Sequence, residues 1–228
     1  MIEVTNLQAL RSLSITTQTV YVKGHSNAGD GGGGMFLWRT GTAFKTGNYS
    51  TENNGTIVKS STVPNNSGSW VRQYEGHINV LFFGAFGVGN NYTANLQDAI
   101  TFASLNTEIN PTLKGSVIYI PNGSYVISNI ILKSGVTILG ESIDKTIIYS
   151  PGGTSADYLF KIESGPVFLN MSNLNLVGNN TEKGCFLFES KKPTTAPFHG
   201  GLWNSKISDI KISAFRGHGI YLRGGSLV

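Results

Sequence analysis

Short apolar runs of four to eight residues, broken by clusters of Gly, Asn, Ser and Pro, dominate the chain: Thr19-Val-Tyr-Val-Lys23, Met35-Phe-Leu-Trp38, Thr56-Ile-Val-Lys59, Val117-Ile-Tyr-Ile120 and Tyr125-Val-Ile127. Runs of this length bounded by turn residues predict strands. Helical spacing is convincing only over 94–105, where Leu96, Ala99, Ile100 and Ala103 recur at i, i+3, i+4 and i+7. Thr93 or Asn91 can cap that helix. A weaker helical turn is predicted over 6–13, with Leu7, Leu10 and Leu13 on one side and Asn6 as N-cap.

From residue 135 the pattern echoes itself. Gly135-Val-Thr-Ile-Leu-Gly140, Asn170-Met-Ser-Asn-Leu-Asn-Leu-Val-Gly178 and Ser205-Lys-Ile-Ser-Asp-Ile-Lys-Ile-Ser213 alternate apolar with small polar residues, and a turn follows each. Ile138, Leu176 and Ile212 lie 38 and 36 residues apart, and further strands fit between: Thr146-Ile-Ile-Tyr149, Tyr158-Leu-Phe-Lys-Ile162, Cys185-Phe-Leu-Phe188 and Gly219-Ile-Tyr-Leu222. Self-similarity at a fixed period predicts a solenoid. Stacked parallel coils would bury inward Ile, Leu, Val and Phe in ladders, while Gly and Asn take the left-handed positions of the turns.

Composition agrees: Gly, Ser, Asn and Thr supply 93 of 228 residues, while 39% of the chain is hydrophobic. That apolar share excludes a disordered chain. No run approaches the ~20 apolar residues of a membrane-spanning helix, and Met1-Ile-Glu-Val-Thr-Asn6 lacks the basic and apolar regions of a signal peptide. The single cysteine, Cys185, sits in an apolar run and is expected to be a buried hydrophobe. The net charge is +4, but the 17 basic residues are scattered and the densest group is Lys191-Lys192. Without a basic stripe, nucleic acid is not an expected partner. Gly29-Asp-Gly-Gly-Gly-Gly34 lacks the Lys-Ser/Thr ending and following helix of a phosphate loop. A tight turn or close backbone packing is expected there instead. The turn-rich first stretch ends in Gly68-Ser-Trp-Val-Arg72, so a boundary is expected near Gly76, giving domains 1–76 and 77–228.

The second of these resembles the pectate-lyase-like right-handed parallel β-helix proteins, and among them bacteriophage tailspikes. The resemblance rests on Ile78-Asn-Val-Leu-Phe-Phe-Gly-Ala-Phe-Gly-Val-Gly89 followed by Thr93-Ala-Asn-Leu-Gln-Asp-Ala-Ile100, then Val117-Ile-Tyr-Ile-Pro-Asn-Gly-Ser-Tyr-Val126, Asn173-Leu-Asn-Leu-Val-Gly178 and Phe215-Arg-Gly-His-Gly-Ile-Tyr-Leu222. The first 76 residues are similar to the small β-rich segment that precedes the helix in tailspikes, through Gly31-Gly-Gly-Gly-Met-Phe-Leu-Trp38, Asn54-Gly-Thr-Ile-Val58 and Trp70-Val-Arg72. One departure is the loop after Phe-Gly-Ala: where the family is usually acidic, Gly87-Val-Gly-Asn-Asn91 carries no carboxylate. No metal or cofactor is expected.

The resemblance implies an all-β chain, a small particle-proximal domain leading into the first coils of a β-helix with one short capping helix. It further implies a virion tailspike or tail fibre, assembled in the host cytoplasm as a homotrimer, contacting other tail proteins and host surface polysaccharide. The alternatives are a free bacterial polysaccharide lyase or glycoside hydrolase, and a structural tail adaptor without a sugar site. Glycoside hydrolysis needs two carboxyl groups roughly 5–10 Å apart. Beyond residue 76 the acids are Asp98, Glu108, Glu141, Asp144, Asp157, Glu163, Glu182, Glu189 and Asp209, and their order suggests no catalytic pair. Asp98, Glu141 and Asp144 are expected to be solvated charges, and Asp209 an outward strand residue paired with Lys206 or Lys211. His218, between two glycines, is expected in a turn. The stretch 190–203 breaks the repeat and is expected to project as a loop, with Phe198, His199 and Trp203 as carbohydrate-binding candidates. The solenoid shows no polar cap before Val228, so either a longer spike or other subunits are expected to cover its end.

Overall fold

A computed structural model describes residues 1–14, 19–40, 52–64, 67–109, 116–152, 157–162, 168–189 and 204–223, with the backbone alone for 105–109. The chain divides into two compact units, Met1–Phe86 and Gly87–Val228.

In the first unit, strands β1 (Ile2–Val4), β2 (Thr19–Val22), β3 (Gly34–Arg39), β4 (Ile57–Val58) and β5 (Ser69–Gln73) form a sheet of order β1-β2-β3-β5-β4. β1 pairs β2 parallel, and the other pairs are antiparallel. The helical turn is real: α1 (Leu7–Arg11) is capped by Asn6, whose side chain accepts the Ala9 N–H at 2.9 Å. Its Leu7 and Leu10 pack with Val20, Val22, Phe36, Val58 and Trp70 into one core. A two-residue strand β6 (Ile78–Asn79) and a 3-10 helix (Val80–Phe83) follow, the latter ending at Gly84 with φ 85°.

The separate motifs of this unit converge on Arg72. Its side chain is buried, and Nε donates to the Gly55 carbonyl at 2.9 Å, Nη1 to Gly33 at 2.6 Å and Nη2 to Gly32 at 2.7 Å. The guanidinium lies 4.6 Å from the Phe36 ring centroid and 4.3 Å from that of Phe82. Burial pushes its pKa down to about 10, so it remains charged at neutral pH. The glycine run therefore packs its backbone closely: a Cβ on Gly33 would sit 2.6 Å from the Val22 carbonyl oxygen. Asn53 Oδ1 accepts from Gly55, Thr56 and Ile57, shaping the turn that presents the third carbonyl.

The second unit is built of coils. It opens with β7 (Val88–Asn91) and α2 (Thr93–Ile109), which runs longer than its apolar spacing predicts and buries Leu96, Ala99, Ile100 and Ala103. Asn91 caps it through Thr93 N–H at 3.0 Å, while the Thr93 hydroxyl accepts from Ser128 instead. The strands are β8 (Val117–Ile120), β9 (Gly123–Val126), β10 (Ile130–Ile131), β11 (Thr137–Gly140), β12 (Thr146–Tyr149), β13 (Tyr158–Ile162), β14 (Asn170–Val177), β15 (Gly184–Glu189), β16 (Lys206–Ser213) and β17 (His218–Arg223). All pair in parallel as a β-helix. β8, β11 and the first halves of β14 and β16 form one face; β7, β9, β12 and the second halves form the next; β10, β13, β15 and β17 form the third. The bend between the first two faces is a single left-handed residue, Asn173 (φ 59°) in β14 and Asp209 (φ 53°) in β16.

Cross-strand register defines three inward ladders: Ile118-Ile138-Met171-Ile207, Tyr125-Ile148-Leu176-Ile212 and Ile130-Phe160-Phe186-Ile220. Phe160 and Phe186 stack at 5.2 Å, 17°. The expected repeat phase is corrected here, because Ile138 belongs to the first ladder and Leu176 and Ile212 to the second. Cys185 is buried, and burial pushes its thiol pKa up.

Candidate functional site

Among the described residues the third face brings together ion pairs and stacked aromatic rings. Asp157, just ahead of β13, bridges Lys161 and Lys183, the latter at 3.2 Å. Burial raises the Asp157 carboxyl pKa, but hydrogen bonds from the two ammonium groups outweigh it and hold the group below the usual carboxylate range. Tyr158 opens β13 in register with Gly184, and Gly184 with His218. With no side chain at Gly184, the Tyr158 ring lies over that strand, where a Cβ would come 2.7 Å from Tyr158 Cε1. Tyr158 thereby stacks on Tyr221 of β17 at 6.3 Å and 10°, and His218 stacks on Tyr221 at 4.9 Å and 16°. Tyr158 is buried within the stack, Tyr221 is half-buried and His218 is exposed. Burial pushes the Tyr158 phenol pKa up, with the charge of Asp157 adding to it. At the far end of the same strands Arg223 Nε lies 3.8 Å from Glu189. His218, expected in a turn, is instead the first residue of β17.

Among the described residues this face offers groups that hydrogen-bond and stack, and its two carboxylates, Asp157 and Glu189, do not stand as a hydrolytic pair. Glu189 stands five residues beyond Gly184, and Asp157 precedes Gly184's partner. At about 3.3 Å per residue that separates the two carboxylates by roughly 20 Å, far beyond a glycosidase pair. The other described acids are held elsewhere. Glu182 is buried and accepts the Asn179 N–H at 2.9 Å and the Thr181 N–H at 3.3 Å; burial alone would raise its pKa, but these bonds and one from Ser150 leave it lowered. Glu141 accepts from Asn122 N–H at 2.8 Å, and Asp144 pairs with Lys211. Asp98, expected to be solvated, is half-buried, and that burial raises its pKa. Asp209, expected to pair with a neighbouring lysine, occupies the left-handed bend and makes no ion pair among the described residues. Among those residues no group of three or more His, Cys, Asp or Glu could hold a metal ion.

Phe198, His199 and Trp203 lie outside the described residues, as do Glu163 and the Glu108 side chain. In the sequence Phe198, His199 and Trp203 stand between Glu189, the last residue of β15, and Ser205, whose hydroxyl accepts the Leu169 N–H at 3.1 Å. The Tyr158-Tyr221-His218 stack has almost no signature in the sequence. Its one mark there is a glycine, Gly184, at the start of an otherwise bulky strand.

Residues 77–208 match the family described as Rhamnogalacturonase A/epimerase, pectate lyase-like. The chain belongs to that family. In this pectate-lyase-like chain, residues 3–75 further match the phage tail protein small four-stranded beta-sheet domain. The fold resembles the tailspike protein gp49 from Acinetobacter baumannii bacteriophage Fri1, a capsular polysaccharide depolymerase, with a TM-score of 0.71 and 16% identity over 100% of this chain and 40% of that one. Full-length tailspike protein 2 from Escherichia coli O157:H7 bacteriophage CAB120 gives 0.67 and 20%, over 98% of this chain and 29% of that one. WceF of Pantoea stewartii, a glycan biofilm modifying enzyme with a tailspike-like parallel β-helix fold, gives 0.55 and 16%, over 93% and 32%. The pectate-lyase-like chain thus spans less than half the length of each. No curated protein matches it.

Proposed function

We propose that this chain acts in a bacteriophage tailspike, with residues 1–76 as the particle-proximal attachment domain and residues 77–228 as β-helix coils that recognise host surface polysaccharide. The observation that carries the reading is the order of two matches, a phage-tail β domain over 3–75 followed at once by a pectate-lyase-like segment over 77–208. A free bacterial enzyme of the same β-helix fold has no evident use for the first of these. The spike is a homotrimer that contacts other tail proteins through its first domain, and light scattering on the purified chain is expected to give a trimer mass. The glycan lies on the third face, against Tyr221, His218 and Arg223, with Phe198, His199 and Trp203, which follow β15 in the sequence, as further contacts. Aromatic faces offer stacking surface to sugar C–H groups, and the flanking cations offer donors to hydroxyls or carboxylates.

The test is binding of fluorescent capsular or lipopolysaccharide fragments from candidate host bacteria. Tyr221→Ala and Trp203→Ala are each expected to weaken binding about fivefold, the loss of about 1 kcal/mol typical of a contributing interface aromatic. Wild-type affinity in both variants would remove the glycan from this face.

A further inference from the structure

His25 joins three stretches of the first unit that are distant in sequence. Its backbone N–H donates to Asp30 Oδ1 at 2.9 Å, and its carbonyl accepts the Leu7 N–H at 3.0 Å, so the loop between β2 and β3 fixes where the ring points. The ring's Nε2 lies 3.0 Å from the Asn54 carbonyl and Nδ1 2.9 Å from the Ser26 hydroxyl. A carbonyl only accepts, so in the neutral ring Nε2 carries the proton and Nδ1 accepts from Ser26. The ring also meets Phe86 edge-on at 5.9 Å and 72°. Gly84 is so close that a Cβ there would sit 2.8 Å from His25 Cε1.

We propose that His25 is an acid-sensitive latch: the neutral ring holds residues 84–86 and the Asn54 turn against the glycine-rich loop, and protonation releases them. The second proton would go to Nδ1, and the Ser26 hydroxyl can turn to accept it, so lost hydrogen bonding is not what opens the latch. The cost lies in placing a cation in a half-buried site. Burial is the largest influence against the charged ring, with Arg72 of β5 and Arg11 of α1 adding repulsion. Asp30 from its own loop and the Asn54 carbonyl favour the charge but do not offset that cost. Arg11 is itself paired with Glu52 beside the Asn54 turn, and residues 84–86 bring no ionisable group. A histidine whose pKa is lowered in the fold contributes stability that is present above its ordinary value of 6.5 and lost as pH falls below it.

The experiment is amide hydrogen exchange on the full chain at pH 7 and pH 5, read as protection factors, with the His25 ring titrated in parallel by NMR. Gly84 and Ala85, whose amides bond Leu81 and Val80, are the reporters. Their protection is expected to fall by up to about tenfold per pH unit in the window where one proton is taken up on opening, with the midpoint of the ring's own titration. His25→Gln, which can still donate to Asn54 but cannot titrate, is expected to abolish that fall. Unchanged protection at pH 5, an equal fall in His25→Gln, or a midpoint away from that of the ring would each overturn the latch. The comparison of midpoints is made on the wild-type chain and so stands even where the variant fails to fold.

Discussion

Arg72 shows what one residue can hold in place. Its three donors serve three backbone carbonyls from two separate turns, and its flat faces lie against Phe36 and Phe82. Arg72→Leu would keep much of the apolar contact while leaving the carbonyls of Gly32, Gly33 and Gly55 without their donor. A buried polar group left unpaired costs about 1–3 kcal/mol, so a loss of about 3 kcal/mol or more is expected, read by urea unfolding followed through Trp38 and Trp70 fluorescence. Arg72→Lys is expected to recover only part of it, because an ammonium group lacks the planar fork that reaches three acceptors at once. A lysine variant as stable as wild type would mean that the charge alone, and not its geometry, holds the loops.

At the scale of the element, the bend residues decide how a strand becomes two faces of a coil. Asn173 sits at φ 59°, a region that is cheap for Asn and Gly and costs other residues about 1–2 kcal/mol. Asn173→Ala is therefore expected to lower the thermal midpoint of the β-helix unit, and Asn173→Gly to leave it within a degree or two of wild type. Equal effects would show that the Asn side chain, not the backbone angle, is what the bend requires. The same bend explains how the chain misleads a reader. Strand positions, inward Ile and Phe, and the α2 face were legible because alternation and 3.6-residue spacing are local properties. The coil phase was not. Ile138 and Leu176 sit in similar alternating runs, yet the first pairs with Met171 and the second with Ile148, because residues 141–145 separate in one coil the halves that Asn173 joins in the next. Only hydrogen bonds between coils choose that register. The third-face stack was hidden for a related reason: Tyr158 and Tyr221 meet across an intervening strand only because Gly184 leaves the space.

At the scale of the whole molecule, binding of a glycan on the third face, as proposed, is separable from cutting it. Every carboxylate on the described third face is committed: Asp157 is shared by two lysines, and Glu189, roughly 20 Å from Asp157 along the strands, faces Arg223. Ionised and paired, Asp157 cannot serve as a general acid near neutral pH, since its pKa is shifted down and away from that range. Glu182 is spent on the turn it caps, and Asp98, the carboxyl raised by burial, lies on α2 and not on a coil face. Polysaccharide incubated with this chain is accordingly expected to keep its length on size-exclusion chromatography while still binding. Release of short oligosaccharides would overturn this. Glutamine substitutions at Glu163 and Glu108, the two acids outside the described side chains, would then show whether either supplies the missing partner.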